Sequence, residues 1–417
     1  MRRVAGFYGW RVVGAAFVLA FFGWGLGFYG PPVYLHAVRE ARGFSLSVVS
    51  AAVTVHFLLG ALVAANIPKL YGRFGLPAVT TAAAIALGAG VFGWAVAATP
   101  WQLFAAASVS GAGWAAMSGV AVNAVVSPWF ARARPAALGT AYNGASFAGL
   151  ILSPLWVTAI LFAGFPLAAA IIGVATIVVT WWLASRYFSR TPAEMSLAPD
   201  GDAPGAPAAA VTSPHAKPLP GALLWRDFAF ITLAAGAALT LFAQIGLITH
   251  LYSLLVPALG TQWAGIVMGI GTGAGMCGRM AVGWLMPIGT DRRLVACASY
   301  AMQICGALVL IAAAGSNVPL LLIGVLLFGL GIGNATSLPP LIAQVEFVKD
   351  DVPRVVALTV AIGQAVYAFA PAVFGFVREF VSIWNGGAVF AVAALVQALS
   401  IGALLIGRHT AAKSARA

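Results

Sequence analysis

The sequence predicts an all-α membrane protein with twelve transmembrane helices in two pseudo-symmetric six-helix bundles. Three observations carry this prediction. Of 417 residues, 62% are hydrophobic and only 8% charged, against about 45–50% and about 25% in a soluble domain. Apolar stretches of about 20 residues, the length that crosses a bilayer, recur along the whole chain. Several landmarks repeat at an offset close to half its length.

A particle of this size in water needs more surface charge than 22 basic and 10 acidic residues supply. The net charge of +12 is spread singly or in pairs between apolar stretches, which excludes the basic patch that a nucleic-acid partner requires. Cys277, Cys297 and Cys305 are odd in number and lie in apolar stretches, so they read as small buried residues without a disulfide or metal framework. Arg2 and Arg3 precede an apolar run from Val12 to Leu35. That run is too long for a signal-peptide core of about 7–15 residues and reads as an uncleaved first span.

The spans fall at 11–35, 47–68, 77–98, 101–126, 136–162 and 166–186, then at 228–255, 262–287, 294–314, 318–345, 355–377 and 387–407. Between the sets, 187–222 holds seven prolines and reads as a mobile linker. The predicted domains are therefore an N-terminal six-helix bundle (1–186), a cytoplasmic linker (187–227) and a C-terminal six-helix bundle (228–417). With the N-terminus inside, eighteen Lys and Arg fall on the cytoplasmic side, three outside and one, Arg279, within a span. This bias places both termini in the cytoplasm, in what reads as a bacterial inner membrane. Gly111 and Gly113 match Gly329 and Gly331 at an offset of 218, Phe130 matches Phe347 and Pro154 matches Pro371 at 217, and Pro68 matches Pro287 at 219. Two parallel repeats of this kind place a substrate site near the bilayer midplane.

The stretch Trp129-Phe130-Ala131-Arg132-Ala133-Arg134-Pro135-Ala136-Ala137-Leu138-Gly139, continuing to Ala145-Ser146-Phe147-Ala148-Gly149, resembles the loop and fifth helix of the monocarboxylate transporter branch of the major facilitator superfamily. The opening Tyr8-Gly9-Trp10-Arg11-Val12-Val13 is similar to the start of that family's first helix, without the acid many members carry. Leu70-Tyr71-Gly72-Arg73-Phe74-Gly75 resembles a worn Asp-Arg-x-Gly loop with Gly72 in place of the acid. Gly283-Trp284-Leu285 with Asp291-Arg292-Arg293 is its more eroded counterpart, so gate latching by Asp and Arg is not expected from either loop. The resemblance implies the major facilitator fold and transport of a small organic carboxylate. The Gly-Pro signature of efflux antiporters in helix five is missing.

All ten acidic residues lie in loops or near helix ends. The deep ionisable residues are His56, His250 and Arg279. Arg279 sits about eight residues, or about 12 Å, from the cytoplasmic end of span eight. Insertion scales assign about 2.5–3.5 kcal/mol to an Arg at helix centre, and its guanidinium cannot lose its proton. An anion offsets that cost, and the substrate carboxylate is the candidate, with snorkelling or bonds to backbone carbonyls as the alternative. The resemblance adds that the family carries a substrate-binding Arg at this place. The family's acidic residue one turn earlier is Gly275 here, which leaves His250 and His56 as proton-coupling candidates. Each also reads as an ordinary hydrogen-bonded helix residue.

One central cation suits a monoanion. Further candidate ligands are Asn143, Tyr34 and Tyr367, then Tyr29, Asn123, Asn334 and Gln364, each with interhelical hydrogen bonding as the alternative. Gly273-Ala274-Gly275-Met276-Cys277-Gly278 satisfies G-x-G-x-x-G but follows no strand, so close helix packing explains it better than a nucleotide. The reading is a monomeric secondary transporter of a small monocarboxylate with proton symport by alternating access, without cofactor or metal and with lipid and the proton as partners. Anion exchange, export of weakly acidic compounds and carboxylate sensing stay open. An intramembrane enzyme fails for want of H-E-x-x-H, G-x-S-x-G or a buried acid pair.

Overall fold

The computed structural model describes residues 7–131, 133–201, 221–286, 290–348, 351–381 and 386–414. Arg132, Asp202, Pro287, Asp350 and the linker residues 202–220 lie outside the described residues. Among those described, all regular structure is helical. Ten helical stretches among the described residues are long and apolar enough to cross a membrane. Two of them, Ala136–Phe188 and Phe228–Val282, hold 53 and 55 residues, about 80 Å at 1.5 Å per residue, which is more than two bilayer cores. Each is interrupted once, at Gly164 (φ 74°, ψ 158°) and Gly260 (φ 72°, ψ 165°). These angles suit glycine alone, and dividing there gives the twelve predicted segments.

The chain separates into two compact units, Met1–Ala210 and Val211–Ala417. Unit 1 opens with α1 (Tyr8–Gly27) and α2 (Gly30–Arg42), the two halves of span one. They are followed by α3 (Leu46–Ala64), the short α4 (Ile67–Phe74) and α5 (Leu76–Val96). Span four is split into α6 (Pro100–Ala115) and α7 (Gly119–Val126), and α8 (Arg134–Leu183) carries spans five and six. Ser45 caps α3, while Thr99 and Gln102 form a capping box on α6.

Unit 2 holds α9 (Gly221–Leu224), α10 (Phe228–Leu285, spans seven and eight), α11 (Arg292–Ala312) and span ten as α12 (Val318–Ile332) plus α13 (Asn334–Glu346). Span eleven is α14 (Val352–Tyr367) plus α15 (Ala370–Phe380), and α16 (Gly387–Ser414) is the last span. Two acids assigned to helix ends are N-caps. Asp227 accepts from Phe230 N at 2.8 Å, and Asp291 from Arg293 N at 3.0 Å and Leu294 N at 3.3 Å. A buried polar chain, Thr240 to Gln397 to Gln303, ties α10, α16 and α11 together at 2.7 and 2.5 Å.

The repeat seen in the sequence is also a repeat of backbone events. Gly43 and Gly260, both left-handed, stand 217 residues apart, as do the breaks at Ala116 in span four and Gly333 in span ten. In contrast to a mobile linker, residues 187–201 fold back onto unit 1. The Asp200 carboxylate accepts from Ala131 N at 3.2 Å and Ala133 N at 3.1 Å, pinning the loop between spans four and five.

Candidate functional site

Arg279 lies in the second half of α10, half-buried, and its Nε donates to the Gly333 carbonyl at 3.1 Å. Gly333 separates α12 from α13, and the Thr336 and Ser337 hydroxyls donate to the same oxygen at 3.3 and 3.2 Å. The alternative of a carbonyl-bound guanidinium is thus realised at one nitrogen. The contact is short-range because span eight packs backbone to backbone on span ten. A Cβ at Gly278 would overlap the Leu330 carbonyl oxygen, and one at Gly275 would lie 3.1 Å from the Gly329 oxygen. The G-x-G-x-x-G stretch is therefore a helix-packing face. Gly275, where the family's acid is expected, stands in that face and has little room for a side chain.

Asn334, the first residue of α13, is buried and donates to Ser299 Oγ at 3.0 Å, so it ties span ten to span nine. Tyr367 and Gln364 are half-buried in the last turn of α14, just before span eleven breaks. His250 is fully buried and its Nε2 donates to the Pro371 carbonyl at 3.1 Å, joining span seven to span eleven. Two turns on, Pro257 lacks the N–H that the Ser253 carbonyl would receive. Arg378 Nη2 donates to that carbonyl at 3.3 Å, and Nη1 donates to Ser253 Oγ.

The same device operates in unit 1. Pro31 removes the helical donor of the Gly27 carbonyl, and His56 Nε2 supplies it at 2.9 Å. Since a carbonyl only accepts, Nε2 carries a proton. Nδ1 lies 2.8 Å from Ser110 Oγ, which also receives Trp94 Nε1 at 3.1 Å and reaches the Ala107 carbonyl at 3.1 Å. A neutral imidazole accepts the hydroxyl proton at Nδ1. A protonated one donates there, and the hydroxyl turns to Ala107, so both charge states keep their hydrogen bonds.

Tyr34 is buried in an aromatic cluster with Trp94, Trp156 and Phe165 at 6.2, 5.0 and 5.3 Å between ring centres. Tyr29 is also buried, edge-on to Phe28 at 5.0 Å. Asn123 and Asn143 are exposed. Asn123 Nδ2 donates to the Gly119 carbonyl at 2.8 Å and to Tyr142 Oη at 2.6 Å, and that hydroxyl donates to Gly119 at 3.1 Å. Trp24 stands edge-to-face with Tyr142 at 6.0 Å and with Trp114 at 5.1 Å. Sequence reasoning passed over Trp24 and Trp114, although Phe17, Phe21, Trp24 and Phe28 form a stripe at helical spacing. A cavity of about 280 Å³ opens at the linker end of unit 1 beside Val12, Leu76, Trp129 and Arg190, and none of the candidate ligands lines it.

Unit 2 also carries a charge cluster that its eroded loop did not foretell. Arg293, 1% exposed, uses all five donors. Nε and Nη2 grip the two Glu346 oxygens at 2.6 and 2.7 Å, Nη2 also reaches Ala229 O at 2.9 Å, and Nη1 reaches Thr232 Oγ1 and Leu404 O at 3.1 and 3.2 Å. Asp291 pairs with Arg408 Nε at 2.5 Å. Burial works against the Asp291 charge, but the hydrogen bonds from Arg408 and the two backbone N–H groups outweigh it and hold the carboxyl below its ordinary 3.8.

Comparison with known proteins reaches the superfamily. A comparison with curated sequences gives no match. Among solved structures, the chain is similar to the nucleoside transporter NupG (TM-score 0.71, 12% identity, 95% of this chain and 99% of that one) and to the D-xylose–proton symporter (0.67, 13%, 94% and 97%). It is also similar to a bacterial homolog of the human lysosomal transporter Spinster in an inward-facing, occupied conformation (0.64, 13%, 97% and 96%). At these identities the likeness establishes the fold, and nothing in it is particular to the monocarboxylate branch. The profile of the Major Facilitator Superfamily matches residues 13–371, and the chain accordingly belongs to that superfamily of secondary transporters.

Proposed function

We propose that this transporter carries a small monocarboxylate by alternating access, in symport with a proton, and that Arg279 binds the carboxylate. The observation that carries this reading is a permanent cation inside an apolar span, its Nε held by the Gly333 carbonyl where span ten is interrupted. A planar guanidinium pairs a carboxylate through two parallel N–H···O bonds, which a neutral substrate cannot match. Among the described residues, every acid lies in a loop, at a cap or at a helix end. A single charge at this depth suits one carboxylate better than two.

The proton falls to an imidazole in this reading, because Gly275 replaces the family's acid and the contact with span ten leaves it little room. Among the described residues, His56 and His250 are buried imidazoles that link helices. His56 has the added property that Ser110 can reverse its hydrogen bond. The excess of Lys and Arg on one side supports cytoplasmic termini in a bacterial inner membrane.

The test is uptake of labelled monocarboxylates into proteoliposomes with and without an inward proton gradient. Symport predicts gradient-stimulated uptake that is lost in Arg279→Gln. Uptake that ignores the gradient and requires an internal anion would replace symport by exchange.

A further inference from the structure

The cavity at the linker end of unit 1 is built by the ends of four spans and by the chain that leaves the last of them. Val12 of span one, Leu76 and Pro77 at the start of span three, and Ala124 and Val125 of span four give it apolar walls. Trp129, Tyr187, Ser189, Arg190 and Thr191 give it a polar one. Its volume of about 280 Å³ lies just under the roughly 300–1,000 Å³ of small-molecule pockets. Span six ends in a single π turn, Ala184–Phe188, closed by Ser189 N on the Ala184 carbonyl at 3.1 Å. Turns of this kind recur at functional sites, and here the chain leaves the turn along the cavity.

The charge at this wall is positive and accessible. Arg190 is exposed, and its guanidinium lies over the Tyr8 ring at 5.9 Å. Tyr8 is itself fixed, because its Oη donates to the Arg186 carbonyl at 3.1 Å and its ring meets Trp129 at 5.2 Å and Tyr187 at 6.3 Å. A guanidinium held at a ring face keeps its N–H fork for an anion. Among the described residues no acid pairs with Arg190 or Arg186. Glu194, four residues on, accepts instead from Thr191 N at 2.9 Å. Thr191 Oγ1 accepts from Glu194 N at 3.3 Å, which leaves the hydroxyl proton to donate. The depth is marked by Trp181 and Trp182, both exposed, the second edge-on to Tyr187 at 5.7 Å. Tryptophan and tyrosine at the end of a span sit at headgroup level.

We infer that this cavity binds the phosphodiester headgroup of an anionic phospholipid, with Arg190 on the phosphate, Thr191 donating beside it and the glycerol end against Val12, Leu76 and Val125. No residue assigned to substrate or proton takes part. Apolar walls beside a cation at headgroup level match a molecule that is apolar at one end and anionic at the other, and the bilayer supplies it directly. A soluble phosphate ester shares only the anionic group.

The experiment is native mass spectrometry of the delipidated full-length protein in detergent, titrated with phosphatidylglycerol, phosphatidylcholine and glycerol 3-phosphate, and repeated with Arg190→Ala, Arg190→Lys, Ala124→Phe and Arg42→Ala. One phosphatidylglycerol should bind more tightly than phosphatidylcholine. Arg190→Ala should weaken it about fivefold, the effect of one basic residue at a membrane surface, and Arg190→Lys, which keeps the charge, should stay within about twofold. Ala124→Phe fills the cavity and should weaken binding with every charge retained, while Arg42→Ala, exposed at the other end of span one, should change nothing. Equal affinity for the two lipids, full affinity in Ala124→Phe, or equal losses in Arg190→Ala and Arg42→Ala would overturn the inference. Glycerol 3-phosphate bound as tightly as the lipid would keep the phosphate contact and overturn the lipid as its occupant.

Discussion

Arg279 and Gly333 meet where two features coincide, a helix face made of glycine and the interruption of span ten. The glycine face brings the helices close, and Nε of the arginine donates to the carbonyl at the interruption at 3.1 Å. This bond sets the plane of the guanidinium, and for the proposed carboxylate contact that is the preorganisation a two-pronged pairing needs. Lysine has no planar fork. Arg279→Lys should therefore bind monocarboxylates at least about tenfold more weakly, measured by titration calorimetry, although the charge is kept. Equal affinity would show that charge alone suffices.

The glycine face makes its own prediction. Gly278→Ala places a methyl group on the Leu330 carbonyl and should destabilise the protein by about 1–3 kcal/mol, the range for overpacking. Gly139→Ala is the matched control, since a Cβ there meets nothing within 4 Å, and it should be neutral or slightly stabilising. Thermal unfolding in detergent separates the two.

Arg293 is satisfied at every donor, and removal of its carboxylate leaves a buried cation. Glu346→Gln should cost about 3–5 kcal/mol, while Arg293→Met with Glu346→Leu should recover most of that loss. A double variant as unstable as the single one would mean that the pair contributes stability beyond mutual neutralisation.

Asp291 has a folded value below its ordinary 3.8. Its pairing with Arg408 therefore stabilises the protein above about pH 4 and is lost as pH falls through the folded value. The thermal midpoint should drop on acidification below about pH 4, and Asp291→Asn should make that drop shallower. An identical acid limb in the variant would remove the pair from the account.

Glutamine at position 56 or 250 preserves a hydrogen-bond donor for the Gly27 or Pro371 carbonyl and removes the titration. The variant at the proton-carrying position should lose gradient-stimulated uptake and keep carboxylate binding. Stimulation that survives in both single variants and in the double variant would exclude the imidazoles.

Much of the architecture is legible in the sequence because bilayer thickness imposes it locally. Span positions follow from runs of apolar residues, and the break in span one follows from Pro31-Pro32. The sharp turn at Gly260 was not assigned, yet it lies 217 residues after Gly43, within the offset already visible at Pro154 and Pro371. What stayed hidden depends on choosing a distant partner. Glu346 is the helix-end acid its position suggests, but its pairing with Arg293, 53 residues away, has no local signal. Asp200 looked like linker charge until it closed on Ala131 and Ala133. The contact of Trp24 with Trp114 and Tyr142 joins three helices whose periodicities carry no information about one another.

The most direct measurement is calorimetric titration of the purified protein and of Arg279→Gln with a panel of labelled monocarboxylates, with thermal unfolding run alongside. The account predicts saturable binding by the protein and no detectable binding by a variant whose unfolding midpoint is unchanged. Monocarboxylate affinity preserved in Arg279→Gln would contradict it.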